Sequence, residues 1–209
     1  MTIVASGSVE GFFREIVEDA MKSQGIDSSD GATSYVVALL ADYAKPDPNA
    51  EAALDRPLTL LLDEALHTPK TSERFERLRT LGDGVLYTSG FFGDHFEARG
   101  VDQKYVVGIG VTAYNAASSL LGVSSSFAPS AVGTEERKRF DVFGELAAKF
   151  DRWVKVLTEV SDATLARPAG DSRGLLKLYE RWLKTGSSKL AEELSQHGFV
   201  PMRASKGVQ

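Results

Sequence analysis

Apolar residues recur at spacings of three and four along most of the chain, which is the period of an α-helix. This pattern predicts helices that begin near residues 9, 30, 58, 72, 101, 134, 171 and 187. Capping residues support these helix boundaries. Ser187 suits the start of the last helix, and Gly25 and Gly198 suit the ends of the first and the last helix. No run of four or more residues alternates with period two between turn residues, so no strand is predicted. We therefore predict an all-α protein: a single-domain bundle of about eight helices over residues 1–200, followed by a disordered tail over 201–209.

The central long helix is predicted near residues 134–160, because two apolar stripes run side by side there. The stripes consist of Phe140, Phe143, Ala147, Phe150, Val154 and Leu157, and of Val142, Leu146, Trp153, Val156 and Val160. An apolar face this wide packs against more than one neighbour. We expect this helix to lie at the centre of the bundle.

The helix predicted over residues 72–98 is unusual because it contains four glycines. They are Gly82, Gly84, Gly90 and Gly93. Each glycine costs a helix interior about 0.5–1 kcal/mol relative to alanine. The helix predicted over 101–121 carries a second row of small residues at Gly108, Thr112 and Ala116. Two such rows favour an antiparallel pair with closely approaching backbones, and the alternative is that the glycines make room for a ligand.

Composition and charge narrow the class of protein. The chain has 209 residues, of which 43% are hydrophobic, so it can bury a sizeable core. Its net charge of −5 argues against general nucleic-acid binding. It has no cysteine, which excludes disulfides, thiolate metal sites and a cysteine nucleophile. No apolar run reaches the roughly 18–20 residues of a membrane span, and the N-terminus carries no signal-peptide pattern, so we expect a cytoplasmic location.

Signals for a cofactor or metal are weak. Gly108-Ile109-Gly110 lacks the third glycine and the preceding strand of a dinucleotide site, so no cofactor is predicted. Glu64 and His67 stand one helical turn apart, as do metal ligands in carboxylate-bridged di-iron bundles, but those bundles use two such pairs. His67 fits equally well as a cation at a helix C-terminus.

A second weak group lies near the end of the glycine-containing helix. Asp94, His95 and Glu97 could act as a general base with carboxylate partners or as metal ligands. The alternative is a solvated helix terminus, since adjacent helical residues diverge by about 100°.

The most specific candidate ligand site lies between the two helices that carry small residues. Asp83 and Tyr87 stand one turn apart on the first helix, and Tyr114 and Asn115 could approach them from the second. If the first helix is central, Asp83 is partly buried and needs a partner, for which Arg79 is the nearest candidate. The alternative is a purely structural bond from Asp83 to an arginine or a tyrosine.

One set of residues resembles a known family. The set is Arg79-x-Leu81-Gly82-Asp83-x-x-Leu86-Tyr87-x-Ser89-Gly90-Phe91-Phe92, then Tyr105 and Gly110-x-x-Ala113-Tyr114, and later Leu178-Tyr179-Glu180-Arg181-Trp182-Leu183. It is similar to an uncharacterised bacterial all-helical family over about residues 70–200. The resemblance implies a helical fold and no activity.

Two functions are compatible with these patterns. The first is an interaction or regulatory module that binds a protein partner, or a second copy of itself, through helix surfaces. The second is a small-molecule-binding protein or enzyme with a polar site between the helices over 72–98 and 101–121. The absence of a complete catalytic set favours the first hypothesis.

Overall fold

All regular structure in the described part of the chain is helical, which confirms the all-α prediction. The computed structural model describes residues 9–44, 56–93, 96, 100–125, 141–166 and 172–199. Nine helices lie in these ranges: α1 (Val9–Gln24), α2 (Asp30–Tyr43), α3 (Leu58–Leu66), α4 (Thr71–Phe91), α5 (Gln103–Ser125), α6 (Val142–Ala148), α7 (Phe150–Ala166), α8 (Ser172–Thr185) and α9 (Ser188–Gln196). Among them, no helix is both long and apolar enough to cross a lipid bilayer.

The chain divides into two compact units, Met1–Leu157 and Thr158–Gln209, with the boundary inside α7. In the first unit, α4 and α5 form the most extensive helix pair, and α3 packs on both of them. In the second unit, the core consists of Leu178, Trp182, Leu190 and Leu194. The interpretation of residues 1–200 as one domain stays a prediction, and the tail over 201–209 lies outside the described residues.

Helix ends largely follow the sequence signals. Gly25 and Gly198 adopt φ of 60° and 82°, a conformation that glycine reaches without a steric penalty. The N–H of Phe199 donates to Leu194 O at 2.9 Å, and that of Gly198 donates to Ser195 O at 3.0 Å, which is the bonding of a Schellman ending. The Ser187 side chain caps α9 by accepting from Leu190 N.

Helices α2 and α3 begin at Asp30 and Leu58, where the sequence predicts them, and the residue before each start occupies the capping position. Ser29 caps α2, because its side chain accepts the Ala32 N–H. Pro57 precedes the first residue of α3 with an extended ψ of 124°, and it therefore occupies the capping position.

The long central helix predicted near 134–160 is two helices in the structure. Its first part, 134–140, lies outside the described residues, and α6 and α7 meet at Lys149. The Lys149 Nζ donates to Asp27 O at 2.6 Å and to Glu145 Oε1 at 2.9 Å. The break between α6 and α7 therefore lies where Lys149 is hydrogen-bonded to the loop between α1 and α2. Most described positions of the two predicted stripes are buried, among them Leu146, Phe150, Trp153 and Leu157, whereas Val142 is partly exposed.

The two glycine-containing helices pack against each other as α4 and α5, as predicted, but the small residues at their interface are not all the predicted ones. The helix predicted over 72–98 ends at Phe91, and its partner extends to Ser125, four residues beyond its predicted end at residue 121. A Cβ on Gly82 would lie 2.5 Å from two ring atoms of Tyr114 in α5.

The row of Gly108, Thr112 and Ala116 does not form this interface. Gly108 and Thr112 are exposed, and no heavy atom lies within 4 Å of a Cβ placed on Gly108. Instead, Gly110 faces the core, where a Cβ would overlap the Phe150 ring and lie 2.8 Å from Val85 Cγ1. The glycines therefore accommodate large side chains and not a matching row of small residues.

Glu145 of α6 ties the loop between α1 and α2 to the rest of the first unit. Its carboxylate accepts from Ser28 Oγ at 2.8 Å, from Ser29 N at 2.9 Å and from Ser29 Oγ at 2.5 Å. Burial by itself would raise the pKa of Glu145, but hydrogen bonds from Ser29, Lys149 and Ser28 outweigh it and lower the pKa to about 2.

This tie predicts a specific acid sensitivity. Because the folded pKa lies below that of the unfolded chain, the stabilisation is present above about pH 4.5 and is lost as the pH falls toward about 2. We expect Glu145 to contribute about 1–2 kcal/mol at neutral pH, after allowance for solvent screening of this partly exposed group. In urea unfolding at several pH values, Glu145→Gln should be less stable than wild type at pH 7 and should lose less stability on acidification. If the free energy of unfolding of Glu145→Gln varied with pH as that of the wild type does, this role of Glu145 would be contradicted. The control is Glu10→Gln, at the exposed start of α1, which should have the same pH profile as the wild type.

Candidate functional site

Asp83 of α4 joins three helices through two tyrosine hydroxyls. Tyr35 of α2 donates to Asp83 Oδ1 at 2.7 Å and lies 2.9 Å from Oδ2. Tyr114 of α5 donates to Asp83 Oδ1 at 2.7 Å. Tyr114 reaches the carboxylate because Gly82, the preceding residue, has no side chain in the way of its ring. The structure therefore brings together two of the four predicted site residues, Asp83 and Tyr114.

The electrostatics keep the two hydroxyls protonated as donors. Burial raises the pKa of Asp83, and the hydroxyls of Tyr35 and Tyr114 and the positive charge of Arg79 oppose that rise. Burial also raises the pKa of Tyr35 and of Tyr114, and the nearby Asp83 charge adds to both shifts. Neither tyrosine forms a phenolate near neutral pH, so both hydroxyls act as hydrogen-bond donors to Asp83 and link three helices. We call Asp83, Tyr35 and Tyr114 the buried tie.

Tyr87 belongs to a different arrangement, a stack of aromatic rings. Its ring centroid lies 4.3 Å from that of Tyr43 of α2 and 4.7 Å from that of Phe91, and the interplanar angles are 28° and 23°. Phe92 meets the Tyr87 ring edge-on at 5.8 Å. Phe92 is 49% exposed, and the other three rings are partly exposed. We call Tyr43, Tyr87, Phe91 and Phe92 the aromatic patch.

Asn115, the fourth predicted residue, is exposed on α5 and adjoins the buried Tyr114 in sequence. The four predicted residues thus occupy three settings: a buried tie, a ring stack and a solvated position. The ring of Tyr114 fills the space beside Gly82, where the predicted site would have opened.

Sequence reasoning missed Tyr35 and Tyr43 as members of these groups. Both lie on the apolar face of α2, where a buried phenol needs a hydrogen-bond partner for its hydroxyl. The sequence therefore indicated that each hydroxyl needs a partner. It did not indicate which residue is the partner, because Asp83 lies 48 residues after Tyr35 in the chain.

The metal candidates have other partners. Glu64 forms an ion pair with Arg56, whose Nη1 donates to Glu64 Oε2 at 3.2 Å. His67 Nδ1 lies 2.9 Å from Asp63 O and 3.1 Å from Asp63 Oδ1. Within the described ranges, no three His, Asp or Glu side chains are grouped as metal ligands. Asp94, His95 and Glu97 lie outside the described residues.

An open cleft of about 500 Å³ lies between α1 and α2, away from all four predicted site residues. Its walls include Arg14, Glu18, Met21, Lys22, Ile26 and Thr33. The rim carries both signs of charge, and Thr33 Oγ1 donates to Met21 Sδ across it at 3.7 Å.

Comparison with known proteins assigns no relative: no family model, no curated protein and no solved structure matches this chain. The resemblance to an uncharacterised bacterial helical family therefore stays a prediction, as does the cytoplasmic location.

Proposed function

We propose that the protein is an interaction module that binds a protein surface through the aromatic patch. The observation that supports this proposal is a set of four contiguous rings, none of them buried, at one end of the α4–α5 hairpin. Aromatic side chains are enriched at the centres of protein interfaces, where they carry much of the binding energy. The partner is a different protein or a second copy of the chain.

Apolar surface continues beyond the patch at the same end of the hairpin. Val101 and Tyr105 are exposed next to the turn, and Gln103 lies against Gly93, where a Cβ would be 3.4 Å from Gln103 Nε2. By contrast, every leucine of α2 and α4 is buried. Packing of these helices is therefore efficient, and the exposed rings mark a surface suited to association.

The form of the patch fits a protein surface better than a small planar ligand. The Tyr87 ring stacks with both Tyr43 and Phe91 at small interplanar angles, so its aromatic surface is already in contact with neighbouring rings. What remains for a partner is a broad surface of ring edges and outer faces. The alternative site between α4 and α5 has less support, because Tyr114 fills the space beside Gly82.

The buried tie contributes to this function by fixing the patch before binding. Tyr35 and Tyr43 lie on α2, and Asp83 and Tyr87 lie one turn apart on α4, so the Tyr35–Asp83 bond holds together the two helices that supply the rings. A preformed surface loses less conformational entropy on binding than a mobile one. Asp83 is in this sense a positioning residue.

Photo-crosslinking tests the proposal. We expect benzoylphenylalanine at position 92, in cells that naturally make the protein, to give a discrete crosslinked species whose mass identifies the partner. The matched control is the same residue at Leu60 of α3, which is 53% exposed but lies outside the patch. Phe91→Ala should reduce crosslinking at position 92 by about fivefold or more, since loss of an interface anchor typically costs 1 kcal/mol or more. Equal crosslinking at positions 60 and 92, or no discrete species at 92, would overturn the proposal.

A further inference from the structure

The aromatic patch contains two tyrosine hydroxyls that have no hydrogen-bond partner among the described residues. They belong to Tyr43 and Tyr87, which differ in this respect from Tyr35 and Tyr114, whose hydroxyls donate to Asp83. Burial raises the pKa of Tyr87, and burial together with the nearby Asp83 charge raises that of Tyr43 to about 12. Both hydroxyls therefore keep their protons near neutral pH, and the patch has two hydrogen-bond donors that the fold does not use.

These two donors are accessible from outside the protein. Among the described residues, buried side-chain polar atoms without a partner occur only at Ser89 Oγ and Trp153 Nε1, so the hydroxyl oxygens of Tyr43 and Tyr87 are in reach of solvent. The Tyr43 hydroxyl lies beside α4, where a Cβ on Gly84 would be 3.5 Å away. A partner that covers the ring stack must supply hydrogen-bond acceptors, because a donor buried without an acceptor is costly.

The patch is small compared with an interface between folded proteins. Phe92 is 49% exposed, and the other three rings are less exposed. With aromatic side chains of roughly 150–250 Å² each, the exposed parts of the four rings amount to at most roughly 300 Å². Val101 and Tyr105 each add one partly exposed side chain. A stable interface buries roughly 800 Å² on each partner, so the area suits a short peptide segment better than a folded surface or a second copy of the chain.

We propose, on the basis of the function proposed above, that the aromatic patch binds a proline-rich segment of a partner protein in the polyproline II conformation. Segments of this kind dock their proline rings on aromatic surfaces. Polyproline II has no internal hydrogen bonds, so its carbonyl oxygens are free to accept from Tyr43 and Tyr87. Proline has no backbone N–H, so such a segment buries few donors of its own against the rings.

The dimensions and charge of the patch agree with this occupant. The centroid separations of 4.3 and 4.7 Å make the stack from Tyr43 through Tyr87 to Phe91 no longer than about 9 Å, and one turn of polyproline II rises by about 9 Å. The four rings carry two hydroxyls and no formal charge. A proline-rich segment is likewise uncharged, whereas a charged segment would lose hydration without gaining an ion pair from the rings.

NMR titration of the full chain with decaproline tests the inference. We expect saturable chemical-shift changes confined to the aromatic patch and to its neighbours on α2 and α4, with a dissociation constant below about 1 mM. A Gly-Ser repeat of the same length should cause no such changes, because it has no proline rings and no preference for an extended helix.

A tyrosine variant separates loss of binding from loss of folding. Tyr43→Phe/Tyr87→Phe keeps the ring stack and removes both hydroxyls, and it should weaken decaproline binding about tenfold. Its free energy of unfolding should equal that of the wild type, because neither hydroxyl has a partner in the described fold. The matched control is Tyr179→Phe in α8, which makes the same chemical change outside the patch and should bind decaproline like the wild type.

Photo-crosslinking at position 92 distinguishes failure of this inference from failure of the proposed function. A crosslink that maps to a proline-rich segment of a partner would support both. A crosslink to a second copy of the chain, or to a segment without proline, would overturn the inference and leave the interaction function in place. The absence of a discrete species would overturn the function. The inference is also wrong if decaproline causes no shift changes at the patch, or if the double tyrosine variant binds it as the wild type does.

Discussion

Replacement of Gly90 by alanine is expected to destabilise the protein by about 2–3 kcal/mol, although alanine is the better helix former. A Cβ at position 90 would overlap Leu157 Cβ and lie 3.4 Å from Leu157 Cα and C. These atoms belong to or adjoin the α7 backbone and cannot move aside by a rotamer change. To accept the methyl group, α4 and α7 would have to separate at this contact. The free energy of unfolding in urea measures the effect.

Gly108→Ala is the matched control, because Gly108 lies in the middle of α5 with no heavy atom within 4 Å of its would-be Cβ. There the same substitution should stabilise the protein by up to about 1 kcal/mol through helix propensity. Similar changes at both positions would show that the α4–α7 contact is looser than the distances indicate. Opposite signs would confirm that glycines in these helices differ in their physical roles.

Asp83→Ala is expected to cost about 2–4 kcal/mol of unfolding free energy. It leaves the hydroxyls of Tyr35 and Tyr114 without their acceptor in a buried setting, and each such loss is worth about 1–3 kcal/mol. The loss of an unfavourably buried charge offsets part of this cost. A loss below about 1 kcal/mol would contradict the description of Asp83 as a tie between three helices.

Asp83→Asn separates the hydrogen bonds from the charge. Both hydroxyls donate to the same oxygen, Oδ1, and an asparagine Oδ1 can accept both, so this variant should stay within about 1 kcal/mol of wild type at pH 7. Because burial raises the folded pKa of Asp83, the native state holds the proton more tightly than the unfolded chain. The associated stabilisation is fully present below the unfolded pKa and is lost as the pH rises through the folded pKa.

Asp83→Asn should lack that contribution, and urea unfolding between pH 3 and pH 7 can measure the difference. The sign is opposite to that at Glu145, whose folded pKa is depressed and whose stabilisation is lost as the pH falls. A variant profile that parallels wild type would mean that Asp83 does not titrate differently in the native state. The double variant with Glu145→Gln tests whether the two contributions are independent, as expected for sites without shared partners.

The buried tie and the aromatic patch are linked through α2 and α4. If the tie positions the rings, Asp83→Ala should weaken association through the patch more than Asp83→Asn does, even where both variants remain folded. Phe92→Ser, by contrast, should impair association with little loss of stability, because Phe92 is half exposed. The two classes of variant therefore distinguish a positioning role from a contact role.

Much of the local structure followed from the sequence alone. The three-to-four spacing of apolar residues, together with Gly25, Ser187 and Gly198, predicted where most helices begin and end, because these signals act within one or two turns. The break at Lys149 escaped prediction, since it is associated with contacts to Asp27 and Glu145 and not with a helix-breaking residue. The end of α4 at Phe91 also escaped prediction, because Gly93, which directly follows the C-cap residue Phe92, was assigned to the helix interior together with the other three glycines.

What the tertiary structure decided is which side chains meet. The sequence by itself determined that Asp83 and Tyr87 share one face of a helix, and it left two explanations for the glycines beside them, close packing or space for a ligand. Only the packing of α2 and α5 against α4 determined that Asp83 binds Tyr35 and Tyr114 while Tyr87 joins a surface stack. Helical periodicity is a local property, repeated every 3.6 residues. These partners lie 48 and 31 residues away from Asp83, and their pairing depends on how whole helices fit together.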